Sequence, residues 1–402
     1  MKRTLTTLVA AITMMPAFAD LPTDAALPVK SIAEALATIR QNNASLKATR
    51  LAIEAQKIEN KTDIGLENPE VGFNYLWGKP ETLGKRKDFS VSQSLDVATL
   101  TGSKRRVANC KNMMLDCQYE VEEMAVLLEA NYCLIDLVYS NAMVDLQQQR
   151  LRDAEKLAQL QKALLDKGES NLIEWRNVQM SLATTQSQYL AFMAEREALQ
   201  KRLVQFNGGQ PLTFTQSTYE ELLLPKRFEE WYASVAAANP MMAYAQADVE
   251  ASRRAVSLSR QEQLPSLSVG YMSEKVEGEH FRGLTFGLSV PLWNSRNKVK
   301  QAKAEREAAL ARQQETSTRL QGELEALYRR TIGLKQAADL AKKTLKEADN
   351  TPLLQKALEA GEISLAEYLQ AIALVYDCQE QAMAAERDCQ KAYAELTAYV
   401  QQ

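Results

Sequence analysis

Few residues in this 402-residue chain have the types and spacing that catalysis or metal binding would need. The one histidine, His280, lies in the segment 274–283 between two apolar stretches, and we interpret that segment as a surface loop. No Ser–His–Asp arrangement, glycine-rich phosphate loop or Cys/His metal-ligand spacing accompanies it. The sequence therefore argues against an enzyme, a cofactor and a metal site.

The five cysteines are also poor candidates for chemistry; they are Cys110, Cys117, Cys133, Cys378 and Cys389. On a helix, Cys110 and Cys117 would lie about 10 Å apart, whereas a disulfide needs Cα atoms within ~7 Å. Cys378 and Cys389 are farther apart still. We interpret all five as small apolar core residues.

The most regular polar pattern is the motif Gly-Glu-x-[Asn/Ser]-Leu-x-Glu, which occurs at 168–174 and again at 361–367. A glycine that follows a long helix favours the left-handed conformation that ends helices. An Asn or Ser with a glutamate three residues later is a capping box that starts the next helix. Glu174 and Glu367 are thus predicted, in the first place, to cap helices.

This motif belongs to a larger internal repeat, because residues 43–75 match residues 239–271 without a gap. Asn43 then aligns with Asn239, and Pro69 with Pro265. We predict a first repeat at 20–206, a connector at 207–226 with one short strand at 212–215, and a second repeat at 227–402. Their helix–helix turns are predicted at about 166–171 and 360–364.

Good helix formers dominate between these landmarks, and neither Gly nor Pro occurs from Ser103 to Lys167. The predicted helices are 31–66, 103–167 and 171–206, then 240–263 with a lead-in near 227, 298–360 and 364–401. A seam of residues spaced by four and three from Leu320 to Leu345 indicates a coiled coil. Thr351-Pro352 predicts a kink or restart within the second long helix. The predicted fold is mainly α with a small β part, built from long antiparallel coiled-coil hairpins.

Period-two alternation appears only in four short segments, at about 71–78, 88–95, 267–274 and 283–292. One face of each is apolar and aromatic and the other is rich in Gly and Ser, which lipid outside and water inside would explain. The residues predicted to face lipid are Phe73, Tyr75, Trp77, Phe89, Tyr271, Phe286 and Leu288. Because one two-stranded hairpin per repeat cannot close a barrel, we expect a homotrimer that shares a 12-stranded one and leaves a passage.

The N-terminus predicts export, since Lys2 and Arg3 precede an apolar stretch and Ala17-Phe18-Ala19 offers a cleavage site. We therefore predict a signal peptide at 1–19. No later stretch approaches the ~18 to 20 apolar residues of a membrane-spanning helix. The net charge of −3 gives no indication of nucleic-acid binding.

Over essentially the whole mature sequence, the chain resembles the TolC-like outer-membrane efflux proteins. The resemblance rests on the repeated segments that begin at Asn43 and Asn239, on Leu288-Ser289-Val290-Pro291-Leu292-Trp293 before a long helix, and on the repeated turn motif. It implies a trimeric barrel in the outer membrane of a Gram-negative bacterium, in contact with lipid and joined to a periplasmic α-barrel. It also implies two protein partners, a periplasmic adaptor and a proton-driven inner-membrane pump.

The resemblance further implies roles for the turns. Acidic residues just inside the second turn would narrow the channel and favour cations, which places a constriction at Glu367, with Gln370 one turn on and Glu174 as the counterpart in the first repeat. Gln370 departs from the acidic pattern, so the carboxylate ring would be thinner. The adaptor would dock on Lys167, Gly168, Glu169, Gly361 and Glu362. The cargo stays open, and the alternative function is a soluble periplasmic coiled-coil scaffold or adaptor.

Overall fold

The structure is a computed structural model that describes residues 27–62, 64–79, 84–276, 278–291 and 297–399. The predicted signal peptide at 1–19 lies outside these residues, as do Leu292 and Trp293. The described helices are α1 (Ile32–Asn42), α2 (Ala44–Glu59), α3 (Val97–Leu100), α4 (Ser103–Asp166), α5 (Leu172–Phe206), α6 (Phe228–Ala238), α7 (Pro240–Gln261), α8 (Lys298–Ala348), α9 (Thr351–Glu359) and α10 (Leu365–Ala398). The described strands are β1 (Leu27–Val29), β2 (Glu70–Trp77), β3 (Lys85–Leu95), β4 (Leu212–Phe214), β5 (Ser266–Val276) and β6 (Glu279–Ser289). The prediction of a mainly helical chain with a small β part is confirmed.

The longest helix, α4, has 64 residues and therefore extends about 96 Å at 1.5 Å per residue. It packs against α5 and α7 along its length and also contacts α2 and α10. On the second long helix, α8, the predicted seam is buried at Leu320, Leu324 and Leu327, and α8 packs on α7 and α10. Side-by-side long helices thus form the body of the chain.

Asparagine side chains break the helices that lead into the sheet. The prediction of one helix over 31–66 is wrong, because α1 ends at Asn42, and the Asn43 side chain accepts a hydrogen bond from the Leu46 amide at 2.9 Å to start α2. The second half does the same at Asn239, whose side chain accepts from the Met241 amide at 2.9 Å. Asparagine is a strong N-cap residue, and this property outweighs the helical pattern on either side.

The predicted restart at Thr351-Pro352 is confirmed. Helix α8 ends at Ala348, and α9 begins at Thr351 with the proline in its first turn. Asp349 accepts hydrogen bonds from the Thr351 amide at 3.0 Å and from its hydroxyl at 2.6 Å. These bonds, made to the carboxylate, lower the pKa of Asp349.

A short parallel pair of strands covers the middle of the first half. The strand predicted at 212–215 is present as β4 and pairs with β1, with Val29 opposite Phe214. Phe214 is fully buried in a cluster with Ile39, Leu134 and Leu203. Strand β1 was not predicted, because its three residues are too few to show a periodic pattern.

The other four described strands form one antiparallel sheet in the order β2-β3-β5-β6. The β3–β5 pair joins the two halves of the chain, from Arg86 opposite Val276 to Leu95 opposite Leu267. The interpretation of His280 as a loop residue is wrong, since β5 and β6 stay paired as far as Val276 and Glu279 and place His280 within β6. Gly278, with a φ of 97°, permits this tight turn.

Not all the cysteines lie in the core. Cys133 and Cys389 are buried, but Cys378 is exposed, which contradicts its interpretation as a core residue. Burial raises the pKa of the Cys133 thiol to about 11.

Among the described helices, none combines the length and the apolar character that crossing a bilayer requires.

Candidate functional sites: the helix–helix turns and the exposed sheet face

The first turn, between α4 and α5, is closed by backbone hydrogen bonds. Gly168 has a φ of 77°, and the Glu169 amide donates to the Leu164 carbonyl at 2.8 Å. This is the Schellman arrangement that a left-handed glycine allows. Lys167, Gly168 and Glu169 are all exposed at this end of the hairpin.

In the first turn, Glu174 is held against its own hairpin. One carboxylate oxygen accepts from Gln161 at 3.0 Å and from Ser170 at 2.9 Å, and the other accepts from the Asn171 side chain at 2.8 Å. Asn171 in turn accepts from the Glu174 amide at 2.9 Å. Asn171 caps α5 as predicted, but the Glu174 carboxylate accepts from the Asn171 side chain and not from its backbone amide, so only half of the predicted capping box is formed. The contacts of Glu174 direct its carboxylate into the turn.

The second turn, between α9 and α10, repeats the backbone arrangement with fewer side-chain contacts. Gly361 has a φ of 72°, and the Glu362 amide donates to the Ala357 carbonyl at 2.9 Å. Both residues are exposed. In the described part of the chain, no hydrogen bond or ion pair links this turn to the first one.

Glu367 completes a capping box at the start of α10. Its Oε2 accepts from the Ser364 amide and from the Ser364 hydroxyl, both at 2.8 Å, while its own amide donates to that hydroxyl at 3.2 Å. The two bonds to the carboxylate lower the pKa of Glu367. Glu367 and Gln370 are both exposed, so the side chains predicted for the constriction are accessible in the single chain.

The predicted lipid-facing side chains share one exposed face of the four-stranded sheet, which we call the apolar face. Its members include Phe73, Tyr75, Trp77, Phe89, Tyr271, Phe286 and Leu288, and all of them are exposed. Phe286 is 77% accessible and Trp77 72%. The register aligns Val71, Val91, Tyr271 and Leu284 as one row across all four strands.

The opposite face, which we call the small-residue face, carries mainly Gly, Ser and Thr. The row Ser92, Gly270 and Thr285 is typical. A Cβ atom on Gly270 would come within 2.6 Å of both the Val91 carbonyl oxygen and the Thr285 hydroxyl. Glycine is required there by close approach of the neighbouring strand.

The sequence did not reveal a buried polar network between α4 and α10. Arg150, only 3% exposed, donates to Glu380 at 2.5 Å, to Gln379 at 2.8 Å and to the Tyr376 carbonyl at 3.0 Å. Gln147, also buried, donates to Glu380 at 3.0 Å. These partners lie more than two hundred positions apart, and Arg150 stands in a polar stretch of α4 (residues 145–156, DLQQQRLRDAEK), so no local signal distinguishes it from a surface residue.

Residues 231–400 match the family model described as outer membrane efflux protein, so the resemblance predicted from the sequence is confirmed. No curated protein sequence matches the chain. The described fold is similar to three crystal structures, and at these identities the likeness concerns the fold. They are the Campylobacter jejuni CmeC outer membrane channel (15% identity, TM-score 0.70, covering 92% of this chain and 84% of that chain), the Neisseria gonorrhoeae MtrE outer membrane channel in its open state (13%, 0.74, 92% and 88%) and the Vibrio cholerae outer membrane protein VceC (11%, 0.70, 92% and 94%).

Proposed function

We propose that this chain, whose residues 231–400 belong to the outer membrane efflux protein family, is an outer-membrane channel through which an efflux or secretion system exports its cargo. The observation that carries the proposal is the four-stranded sheet at one end of the long helices. Its apolar face exposes aromatic and aliphatic side chains in every strand. Its small-residue face carries mainly Gly, Ser and Thr, with Leu76 and Phe281 as exposed apolar exceptions near the hairpin loops. Lipid on one side and water on the other account for both faces.

The edges of the sheet support the proposal of a shared barrel. β2 and β6 are its outermost strands, and unpaired strand edges are prohibitive in lipid. If β2 of one copy pairs with β6 of the next, the sheets close into a ring. Two copies would give eight strands with a filled interior, whereas three give twelve strands and a passage, so we favour a homotrimer.

The long helices supply the rest of the duct in this proposal. With about 96 Å of α4 below the sheet, three copies would form a periplasmic α-barrel that ends at the two turns. Lys167, Gly168, Glu169, Gly361 and Glu362 are exposed at that end and are the proposed contacts of a periplasmic adaptor. The adaptor would connect the duct to a proton-driven inner-membrane pump. Reversing the charges of Glu169 and Glu362 should then impair efflux, and unimpaired efflux would remove the turns from the docking site.

A constriction at the second turn is the remaining part of the proposal. Glu367 uses Oε2 for the cap, and no described residue donates a hydrogen bond to its Oε1. Its lowered pKa favours the charged form. Three-fold symmetry would bring three such carboxylates together, with the neutral Gln370 nearby. Both carboxylate oxygens of Glu174 accept hydrogen bonds within its own hairpin, so we give it the smaller share of the constriction.

Membrane fractionation and the native mass of the detergent-extracted protein test this function. An outer-membrane protein with the mass of a homotrimer is the expected result. A soluble monomer or dimer in the periplasm would instead support the scaffold or adaptor alternative. That alternative is less favoured because it would leave the whole apolar face in water, and soluble monomers rarely expose such patches.

A further inference from the structure

The apolar face changes its chemistry toward the hairpin loops. One row aligns Tyr75, Lys87, Lys275 and His280 across the four strands. Arg282 belongs to the row below it and Lys85, opposite Trp77, to the row above. All these side chains are exposed. We call Lys85, Lys87, Lys275 and Arg282 the cationic rows.

Among the residues that the structure describes, no carboxylate neutralises the charges of the cationic rows. Lys87 lies directly opposite Lys275, and like charges in that position destabilise a sheet. The Lys87 ammonium lies 5.5 Å from the centre of the Tyr75 ring. None of the four cations forms an ion pair with a carboxylate in the described part of the chain.

The other face of the same rows is arranged differently. There Arg86 pairs with Asp88 at 2.8 Å and with Glu274 at 3.1 Å. The acidic side chains of β3 and β5 at this end therefore lie on the small-residue face with their own cation. Within the described strands of this sheet, the basic side chains that lack a carboxylate partner all lie on the apolar face.

We propose that the cationic rows bind the phosphate groups of an anionic lipid in the outer leaflet. The proposal rests on the proposed function, because it needs the apolar face to lie in a membrane with the helices on the periplasmic side. From Leu95 to Lys87, β3 extends about 27 Å at ~3.4 Å per residue, which the ~35–45° tilt of barrel strands reduces to a height of about 19 to 22 Å. Long lysine side chains extend toward water from such a position, and they would reach the outer edge of the ~25 Å apolar band. The cationic rows then lie at the level of the outer headgroups.

A lipid is the partner that fits both parts of this surface. The cations continue directly from the apolar rows, so one ligand that touches both must have apolar chains and an anionic head. Tyr75 and Trp77, at the same level, are the side chain types that concentrate at membrane interfaces. Lys and Arg supply charge-assisted hydrogen bonds to phosphate.

Native mass spectrometry of the detergent-extracted assembly, titrated with phosphorylated lipid A, tests the proposal. We expect the double variant Lys87→Gln/Lys275→Gln to bind the lipid about 25-fold more weakly than the wild type, since each basic residue near an anionic surface contributes about a fivefold effect. Lys87→Arg/Lys275→Arg should retain binding. The matched control is Lys162→Gln/Lys346→Gln, which removes two exposed lysines of α4 and α8 and should change nothing.

Unchanged binding by Lys87→Gln/Lys275→Gln would overturn the proposal, and so would equal binding of dephosphorylated lipid A. If that variant does not assemble, the salt dependence of lipid binding by the wild type tests the proposal instead. Binding to the cationic rows must weaken as the salt concentration is raised, and binding that is insensitive to salt would contradict the proposal. The native mass and the membrane fraction are recorded in the same preparation. A trimer extracted from outer membranes that binds lipid A equally with and without its phosphates would contradict only this inference. A soluble monomer would contradict the proposed function itself.

Discussion

Arg150 on α4 donates a hydrogen bond to Glu380 on α10 at 2.5 Å, and its guanidinium carbon lies 4.0 Å from the centre of the Tyr376 ring. The arginine is buried, whereas the side chain of Glu380 is one-third exposed. Because α4 belongs to the first half of the chain and α10 to the second, this contact joins the two halves in the C-terminal part of α4. The two Nη atoms of Arg150 donate to three acceptors on α10, whereas its buried Nε has no hydrogen-bond partner in the described part of the chain.

Replacing this arginine should destabilise the helical body. For Arg150→Ala we expect the free energy of unfolding to fall by about 2 kcal/mol, since Glu380, Gln379 and the Tyr376 carbonyl all lose a donor. The loss is smaller than for a fully buried ion pair because water can still reach the Glu380 carboxylate. Chemical denaturation followed by circular dichroism measures it. The control is Arg329→Ala, whose 77%-exposed side chain pairs with Glu325 and should contribute under about 0.5 kcal/mol. If the two substitutions lowered the free energy of unfolding equally, the buried network would stabilise the fold no more than an exposed ion pair does.

Glu367→Gln separates the charge of the second turn from its capping role. Glutamine can also complete a capping box, so α10 should keep its start and the assembly its native mass. We expect a weaker preference for cations in bilayer recordings, seen as a shift of the reversal potential in a salt gradient. Glu362→Gln, in the same turn but outside the cap, is the control. A reversal potential that does not move with Glu367→Gln would exclude this residue from the constriction.

Acid should loosen the start of α10. The folded pKa of Glu367 lies below its ordinary value because Ser364 donates to the carboxylate. Its stabilisation is therefore complete above the ordinary pKa and is lost as the pH falls through the lowered one. Amide exchange in the first turn of α10, corrected for the intrinsic rate, should accelerate over that range. In Glu367→Gln the same amides should show no such dependence, and a dependence that persists would assign it to another group.

Much of this fold could be predicted because its signals are local. Alternation at residues 71–78 identifies a strand without knowledge of its partner, and the capping box at Ser364 needs only four residues. What could not be predicted depends on distant residues or on competing local preferences. Arg150 and Glu380 meet only after folding, β1 is recognisable only through β4, and the capping preference of Asn43 outweighed an otherwise continuous helical pattern.

Two glycines on the small-residue face differ in the space around them. Gly270 is confined by the Val91 carbonyl, whereas a Cβ on Gly283 would meet nothing within 4 Å. We expect Gly270→Ala to reduce the yield of assembled protein in the membrane fraction, since strands β3 and β5 would have to move apart. Gly283→Ala should leave the yield unchanged. Both variants are compared by membrane fractionation. A normal amount of assembled Gly270→Ala protein would show that β3 and β5 can separate enough to accommodate the added methyl group.

If the sheets of several copies close into one barrel, β2 of one copy lies beside β6 of the next, and disulfide trapping between these two strands detects that pairing. Within one chain these strands are separated by β3 and β5, hence by about 14 Å at ~4.8 Å per strand, which exceeds the ~7 Å reach of a disulfide. In a background without the native cysteines, Asn74→Cys is combined in turn with Gly283→Cys, Thr285→Cys and Gly287→Cys. We expect one combination to yield covalent dimers and trimers and nothing larger. Monomers alone in every combination, from protein that is intact in the membrane, would contradict the shared barrel.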